Sequence, residues 1–293
     1  MTETVSLRIQ RLGHHGDGIA EGPIFVPLSL PDELVEGRLD GQTLHDMRIK
    51  EPSENRVAPP CRHFKSCGGC QLQHASDSFV ASWKQEIVEK ALAAHGLQAS
   101  FLPSAISSSK SRRRATFAAR RTKKAATAGF YARASDVIVE IPDCTLLHPK
   151  LMAGIPLAKE LAMAGASRKT NLAVTATLSR NGLDISVTGG KALDGPMRQD
   201  LALLAQRHGL ARLCWDDEVI ATRFPPEQEF DGVVVVPPAG AFLQATQDGE
   251  AALLADVRQI VEGAGRIFLR VVVPLPCRSL VWRLFMRLKA MPQ

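Results

Sequence analysis

The first fifty residues alternate between apolar and polar positions in a way that predicts short β-strands. Alternation is clearest in VSLRIQRL (5–12), and a short apolar run, PIFVPLSL (23–30), follows the glycine-rich turn GHHGDGIAEG. ELVEGRLDG and LHDMRIKEP add further short strands with turn residues between them. Closely spaced short strands of this kind are typical of small closed barrels. The pattern predicts an OB-like β-barrel over residues 1–54.

Beyond the proline-rich linker PSENRVAPPC, the hydrophobic period switches repeatedly between helix and strand. In DSFVASWKQEIVEKALAAHG (77–96), apolar side chains recur at helical spacing and Gly96 supplies a stop signal. Further helices are predicted at PKLMAGIPLAKELAMAG, MRQDLALLAQRHG and GEAALLADVRQIVEGAG, and strands at RATFAAR, AGFYAR, VIVEIP, VIATRF and GVVVVPP. NLAVTATLS and LDISVTGG predict a hairpin around Asn181-Gly182. This alternation predicts an α+β domain over residues 55–240, with another region beginning at 241–266.

Composition places the chain among globular proteins. Its 293 residues are 45% hydrophobic and 23% charged, and the mean hydropathy is −0.03, which suits about two domains. The N-terminal MTETVSLRIQRLG has no apolar core of a secretory signal. No uninterrupted apolar stretch is long enough to span a bilayer. We therefore expect a cytoplasmic protein, a monomer, without a membrane partner.

Positive charge is concentrated in one segment. The net charge is +6 and the pI about 9.1. Residues 110–124, KSRRRATFAARRTKK, hold eight lysines and arginines and no acidic residue. Such a run suits neutralisation of phosphates, but a solvated strand edge or loop would have the same composition. On composition alone both interpretations stay open.

Three cysteines fall within ten positions in CRHFKSCGGCQLQH (61–74). Because structural disulfides are rare in the cytosol, metal binding is the favoured interpretation. The four predicted ligands are Cys61, Cys67, Cys70 and, from the turn-like IPDCTLLHP, Cys144; Cys214 and Cys277 are the alternatives for the fourth position. Zinc and iron–sulfur sites both use four thiolates. One offset cysteine, one close pair and one remote cysteine fit a cubane better than zinc, and free buried thiols are the remaining alternative.

These motifs together resemble the RNA 5-methyluridine methyltransferases. The matching elements are C-x5-C-G-G-C-x-L-Q-H, the basic RRRA and DCTLLHP, and the N-terminal GDGIAEG, IFVPLSLPDE and PSENRVAPPC resemble the TRAM domain of that family. The resemblance implies S-adenosylmethionine-dependent methylation of uracil C5 in ribosomal or, second, transfer RNA. It also implies a [4Fe–4S] cluster on Cys61, Cys67, Cys70 and Cys144.

The resemblance also assigns binding residues. AGAFLQATQDGEAAL is similar to the family's F-x-Q-x-N element, which makes Gln244 an S-adenosylmethionine contact and places Phe242 near the RNA. Ala245-Thr246 departs from the common Val-Asn. The basic run matches the RNA-binding strand of the family, which implies RNA contacts for five arginines: Arg112, Arg113, Arg114, Arg120 and Arg121.

The last 27 residues do not continue the resemblance. The family continues with a strand and a glycine-rich loop that opens a Rossmann-like methyltransferase domain, whereas residues 267–293 contain no Gly, Asp or Glu. A back-translation of IFLRVVVPLPCR shifted by one base encodes DLFAGCGTFALP, the expected motif. We therefore interpret residues 267–293 as a frameshifted tail and 241–266 as the start of the methyltransferase domain. An amphipathic terminal helix is the other interpretation, although Pro274 and Pro276 break its first part.

The family's chemistry implies residues that this chain does not contain. A cysteine thiolate adds to uracil C6, C5 takes the methyl group, and a glutamate removes the C5 proton. In the family both groups belong to the C-terminal domain, so no catalytic residue is assigned here. The alternative hypothesis is a standalone iron–sulfur or zinc RNA-binding protein without methyltransferase activity.

Overall fold

The computed structural model describes residues 4–262. Contacts divide the chain into two units, the first ending at Gly249 and the second beginning at Glu250. The predicted frameshifted tail, residues 267–293, and Cys277 within it lie outside the described residues. None of the helices in the described range is long and apolar enough to cross a bilayer.

The N-terminal strands close into a five-stranded barrel, which confirms the predicted barrel. Its strands are β1 (Thr4–Leu12), β2 (Gly18–Ala20), β3 (Ile24–Val26), β4 (Leu34–Asp40) and β5 (Thr43–Glu51), in the order β1-β2-β3-β5-β4. The alternation seen in the sequence points Ile9, Val35 and Leu44 into the barrel core. Gly37 allows β4 to press against β5, because a Cβ there would lie 2.6 Å from the His45 carbonyl oxygen.

A buried ion pair joins the barrel to the linker that follows it. The Glu33 side chain is fully buried and accepts hydrogen bonds from the amides of Leu30, at 2.9 Å, and Ser53, at 3.3 Å. Arg56 donates to both of its carboxylate oxygens. Burial raises the pKa of Glu33, but the hydrogen bonds from Arg56 and the two amides outweigh it and lower the pKa overall.

Helix α1 (Asp77–Ala93) follows the linker and the cysteine-bearing loop after it. The Ser76 side chain caps it by accepting from the Phe79 amide at 3.3 Å. Phe79 and Trp83 from the predicted apolar face pack against Leu12 and Leu30 of the barrel region. No residue of α1 is fully buried, so these partly buried contacts are what attach the helix to the barrel region.

The central domain is a seven-stranded sheet with helices on one face. Its strands are β6 (Arg114–Arg121), β7 (Ala126–Tyr131), β8 (Ile138–Val139), β9 (Leu172–Ser179), β10 (Gly182–Thr188), β11 (Arg212–Trp215) and β12 (Glu218–Thr222), in the order β12-β11-β10-β9-β6-β7-β8. Helices α2 (Gly154–Gly165) and α3 (Gly195–Arg207) follow η1, a short 3-10 helix (Pro149–Ala153), and β10 respectively. The predicted hairpin is β9–β10. Strand β11 was not predicted, because its four residues are all buried and show no alternation.

Alternate residues of the sheet divide between core and open face. Phe117 and Val174 point towards α2 and belong to the main core with Leu161 and Trp215. Thr116, their neighbour on the opposite face, is exposed and hydrogen-bonds Thr175 on β9 at 2.9 Å. The face opposite the helices is therefore polar and partly open, and this face carries the groups described below.

Two short strands and a last helix complete the described chain. Strands β13 (Gln228–Phe230) and β14 (Val233–Val235) form a separate hairpin, and α4 (Gln247–Val261) crosses the boundary between the two units. No described residue of α4 is buried, and Leu253, Val257 and Ile260 are exposed on it. The helix was predicted from these apolar positions.

Candidate functional site

The four predicted cysteines line one cavity. Cys61, Cys67 and Cys70 come from the loop between the linker and α1, and Cys144 comes from the turn after β8. Apolar side chains form much of the remaining wall: Phe64, Phe130, Ile141, Leu146 and Leu147. Cys214, one alternative for the fourth position, is buried in β11 and is not part of this wall.

Backbone hydrogen bonds bring the two cysteine-bearing segments together. The Lys110 amide donates to the Thr145 carbonyl at 2.9 Å, and the Arg112 amide donates to the Leu146 carbonyl at 3.0 Å. On the other side, the Gly68 amide donates to the Tyr131 carbonyl at 2.8 Å. The start of the basic run and the end of β7 therefore hold the cavity from two directions.

A side-chain clamp that the sequence analysis missed joins the same segments. Asp143, the residue before Cys144, pairs with Arg62 at 2.8 Å and hydrogen-bonds the His63 ring. The hydrogen bond with His63 lowers the pKa of Asp143, and the nearby charge of Arg62 adds to this effect. Arg62 and His63 directly follow Cys61, and Asp143 directly precedes Cys144. These neighbouring residues of opposite charge were the sequence signal that could have predicted the clamp.

The Gly-Gly pair permits close approach around Cys67. A Cβ on Gly68 would lie 2.8 Å from the Tyr131 carbonyl oxygen, and one on Gly69 would lie 3.1 Å from the Phe130 ring. The Gly69 amide donates to the Cys67 sulfur at 3.4 Å. Glycines are needed here because the loop packs directly on the end of β7.

The surroundings of the cysteines disfavour free thiolates. Burial raises the pKa of Cys67 and Cys70, and Cys144 and the other neighbouring cysteines raise both further. Within residues 4–262, no three His, Cys, Asp or Glu side chains are close enough together to hold a single metal ion. The thiols share a cavity without converging on one point.

Three arginines hold the segment that contains Phe242 and Gln244, here called the 237–246 segment. Arg212 donates to the Pro237 carbonyl at 2.9 Å and Arg114 to the Gly240 carbonyl at 3.2 Å. Arg113, which is only 4% exposed, donates to the Gln244 carbonyl at 3.2 Å. Pro237 and Gly240 therefore lie along the open face of the sheet, and the segment is attached to the sheet through its backbone carbonyls.

This attachment leaves the predicted binding side chains displayed. Leu243 is buried and anchors the segment, whereas Phe242 beside it is 78% exposed. Gln244 is half-buried. The Arg114 guanidinium keeps its Nε buried without a hydrogen-bond partner among the described residues, and burial lowers the pKa of this side chain.

Thr246, at the departure from the family's Val-Asn, has a defined local role. Its hydroxyl accepts from the Gly249 amide at 3.2 Å and hydrogen-bonds Ser107 at 2.7 Å. Asp248 accepts from the Ser108 amide at 3.3 Å. Threonine can accept a hydrogen bond at a helix start as asparagine does, so the departure preserves the capping function.

The basic run divides between two places in the structure. Arg112 lines the cysteine cavity, and Arg113 and Arg114 hold the 237–246 segment. Arg120 and Arg121 lie at the far end of β6, about 20 Å along the strand from Arg114 at roughly 3.3 Å per residue. Arg120 donates from Nε to Asn171 at 2.6 Å.

The chain is similar to curated RNA methyltransferases along most of its length; no family model matches it. It is 36% identical over 273 residues to an uncharacterised RNA methyltransferase of Rhizobium meliloti, covering 90% of this chain and 66% of that protein. A Brucella suis protein of the same description is 35% identical over 269 residues, covering 91% and 65%. The 23S rRNA (uracil(1939)-C(5))-methyltransferase RlmD of Shewanella piezotolerans is 33% identical over 231 residues, covering 74% and 52%.

The fold also resembles a solved structure. The tRNA (uracil-54, C5)-methyltransferase of Pyrococcus abyssi, in complex with S-adenosyl-L-homocysteine, matches 88% of this chain and 65% of its own length. The TM-score is 0.64 at 18% sequence identity. This chain thus spans about two thirds or less of the length of the proteins it matches.

Proposed function

We propose that this chain, about nine-tenths of which aligns with RNA methyltransferases, derives from an S-adenosylmethionine-dependent RNA uracil-C5 methyltransferase. Its substrate is ribosomal RNA, with transfer RNA second. The observation that carries the proposal is the start of the basic run. Residues 112–114 line the cysteine cavity and hold the 237–246 segment, so one short stretch joins both predicted sites.

Within this proposal, Cys61, Cys67, Cys70 and Cys144 hold a [4Fe–4S] cluster. The donor set fits, since four thiols surround one largely apolar cavity and the Gly69 amide points at a sulfur. A cubane is bound through four separate iron atoms, so its thiolates stay further apart than the four ligands of one zinc ion. That spacing agrees with a cavity in which the thiols do not converge. The bound cluster would supply structural cross-linking of the two segments.

The colour of the purified protein tests this assignment. Anaerobic purification is expected to give a brown protein absorbing near 400 nm, with about four irons per chain. A Cys144→Ser variant should lose this absorption, and Cys214→Ser, a buried cysteine outside the cavity, should keep it. A colourless, zinc-loaded protein would contradict the cluster and favour a zinc-binding nucleic-acid module.

RNA contacts are assigned to groups that remain displayed. Phe242 offers an exposed ring for stacking on a base, and Arg120 and Arg121 lie in the acid-free run. Arg112 lines the cysteine cavity, and Arg113 and Arg114 hold the 237–246 segment. Their RNA role is therefore limited to the parts of their side chains that these contacts leave exposed. Gln244 is assigned to S-adenosylmethionine.

We assign no nucleophile or general base to this chain, and we propose that residues 267–293 are out of frame. The test is a gene whose frame is shifted by one base after codon 266, so that the DLFAGCGTF motif is read. The protein from the shifted gene is expected to transfer methyl groups to uracil C5 in undermethylated ribosomal RNA. The 293-residue chain should bind RNA without methylating it.

Mass spectrometry of the RNA nucleosides identifies the product as 5-methyluridine. Absence of that product with both ribosomal and transfer RNA, from a folded frame-shifted protein, would refute the proposed activity. RNA binding without any methylation by either protein would instead favour a standalone RNA-binding protein.

A further inference from the structure

The open face of the central sheet carries an aromatic ring in an unusual position. Tyr131 is at the end of β7, and its hydroxyl accepts a hydrogen bond from the Asn171 side chain at 3.0 Å. Asn171 directly precedes β9, and β6 lies between β7 and β9 in the sheet. The Tyr131 ring therefore lies across β6.

Burial of the residue beneath supports this placement. Ala118 points to the open face of β6, as the alternation with core residue Phe117 requires, yet it is only 4% exposed. Tyr131 itself remains 42% exposed. The position of the ring across β6 accounts for the burial of Ala118, while the Tyr131 side chain stays partly open to solvent. Since its hydroxyl and its backbone carbonyl are both hydrogen-bonded, the ring is held in place before any ligand arrives.

Basic residues from two loops lie at the end of the sheet where β6 ends and β9 begins, next to Asn171, the partner of the Tyr131 hydroxyl. The pairing of Ala119 with Leu172 places the β6–β7 loop beside the α2–β9 loop. The two loops contribute the exposed Lys123, Lys124, Arg168 and Lys169, and Arg121 at the end of β6 adds a fifth cation. We name these five residues the basic edge. Asn171 ties the group together, because it accepts from Arg120 while donating to Tyr131.

Acidic groups are absent from the two segments that carry the basic edge. Glu160, which lines a cavity with Ala125 of the β6–β7 loop, is paired with Arg207 and His208. Neither residues 110–135 nor residues 163–175 contain Asp or Glu. Asp136 approaches Arg120 at 3.8 Å, and Asp216, after β11, is engaged with the Gly189 amide at 3.2 Å. The four loop cations thus project from acid-free segments, as a surface that attracts phosphates requires.

We propose that the Tyr131 ring and the basic edge form a binding subsite for single-stranded RNA, in which a base stacks on the ring and the cations neutralise the adjoining phosphates. This subsite rests on the proposed function, because that function supplies RNA as the ligand. Single-stranded RNA is specified because an aromatic ring lying flat on an open sheet can stack only on a base that is free of its own stack. The basic edge lies at the opposite end of β6 from the cysteine cavity and the Arg113–Arg114 anchors. The backbone of Tyr131 lies beside the cavity, where its carbonyl accepts from the Gly68 amide, and its side chain extends from there towards the basic edge.

The test measures binding of the 293-residue chain to a fluorescein-labelled 12-nucleotide uridine-rich RNA across a salt series. Tyr131→Ala should weaken binding by about 5- to 160-fold, the range for losing one base–aromatic stack. Tyr131→Phe keeps the ring and should retain most of the affinity. Lys123→Ala/Lys124→Ala should reduce the slope of log affinity against log salt by about 1.4, at roughly 0.7 per phosphate contact on a single strand.

A matched control separates local contacts from net charge. Lys84→Ala/Lys90→Ala removes two exposed lysines from α1 and should leave the salt slope unchanged. Wild-type slope in the Lys123/Lys124 variant, or wild-type affinity in Tyr131→Ala, would overturn the subsite while leaving RNA binding by the chain intact. Failure of the folded frame-shifted protein to methylate RNA, with RNA binding by the 293-residue chain intact, would instead refute the proposed function and leave the subsite standing.

Discussion

The two ends of β6 use the same residue type in opposite ways. At its start, Arg113 and Arg114 turn their guanidinium groups to backbone carbonyls of the 237–246 segment. At its far end, Arg121 leads into a loop whose lysines, Lys123 and Lys124, are exposed. One acid-free run in the sequence therefore serves two purposes, the first inside the fold and the second at its surface.

The difference teaches that a charge run has no single role when a strand passes through it. A backbone carbonyl that packing removes from water needs a donor from the protein, because a buried acceptor left unpaired costs about 1–3 kcal/mol. A loop lysine has no such partner and stays hydrated. Removing one cation at a time and measuring the free energy of unfolding tests this difference between the two ends of β6.

The largest effect is expected at Arg212, the third anchor of the 237–246 segment. Arg212 makes two hydrogen bonds to Asp184, at 2.9 and 2.7 Å, with both side chains about 10% exposed. Arg212→Ala would leave a buried carboxylate unpaired and should lower the free energy of unfolding by about 3–5 kcal/mol. Urea denaturation of the wild-type and Arg212→Ala proteins measures this loss of unfolding free energy. As a control, Arg180→Ala breaks an exposed pair with Glu229 and should lower the free energy of unfolding by at most about 1 kcal/mol. Equal losses in the two variants would show that buried and exposed arginines contribute alike to stability.

Arg113→Ala should have the next largest effect. It removes the donor to the Gln244 carbonyl, and the expected loss of unfolding free energy is about 1–3 kcal/mol. Hydrogen exchange should also show faster exchange of amides in the 237–246 segment. Arg121→Ala, from the other end of the strand, serves as the control and should change neither quantity appreciably. A neutral Arg113→Ala would show that the two ends of β6 are equivalent.

The buried Glu33–Arg56 pair of the barrel should make stability depend on pH. The pKa of Glu33 is lowered in the folded protein from its ordinary value of 4.5, so its charged form contributes stability that is present above about pH 4.5. That contribution is lost as the pH falls through the lower folded pKa. Thermal melts from pH 7 to pH 3 should therefore show a steeper decline for the wild-type protein than for Glu33→Gln. Parallel curves would mean that the Arg56 pair adds no charge-dependent stability.

The smallest effect on stability is expected at the basic edge. Lys123→Ala/Lys124→Ala removes two exposed loop cations and should change the free energy of unfolding by no more than about 0.5 kcal/mol. Its effect is expected in RNA binding alone. A loss comparable with that of Arg113→Ala would indicate that these lysines also hold the fold together.

The sequence alone determined the elements whose signals are local. Alternation and a short apolar run over residues 5–51 predicted four of the five barrel strands, whereas β2 lies in the stretch interpreted as a glycine-rich turn. Helical spacing predicted α1, α2, α3 and α4, because such a pattern reflects burial on one side of one element. Cysteine spacing and the turn around Cys144 also identified the four residues that line one cavity. Strand β11 escaped prediction, since a fully buried strand has no alternation to read.

Only the tertiary structure decided how those elements share their side chains. The clamp of Asp143 on Arg62 and His63, the placement of Tyr131 across β6 and the anchoring of the 237–246 segment by three arginines each join residues far apart in the chain. Their partners are set by strand order and register, which depend on the packing of the whole sheet. A local pattern shows which face of a strand is buried, but the sheet determines what lies opposite it.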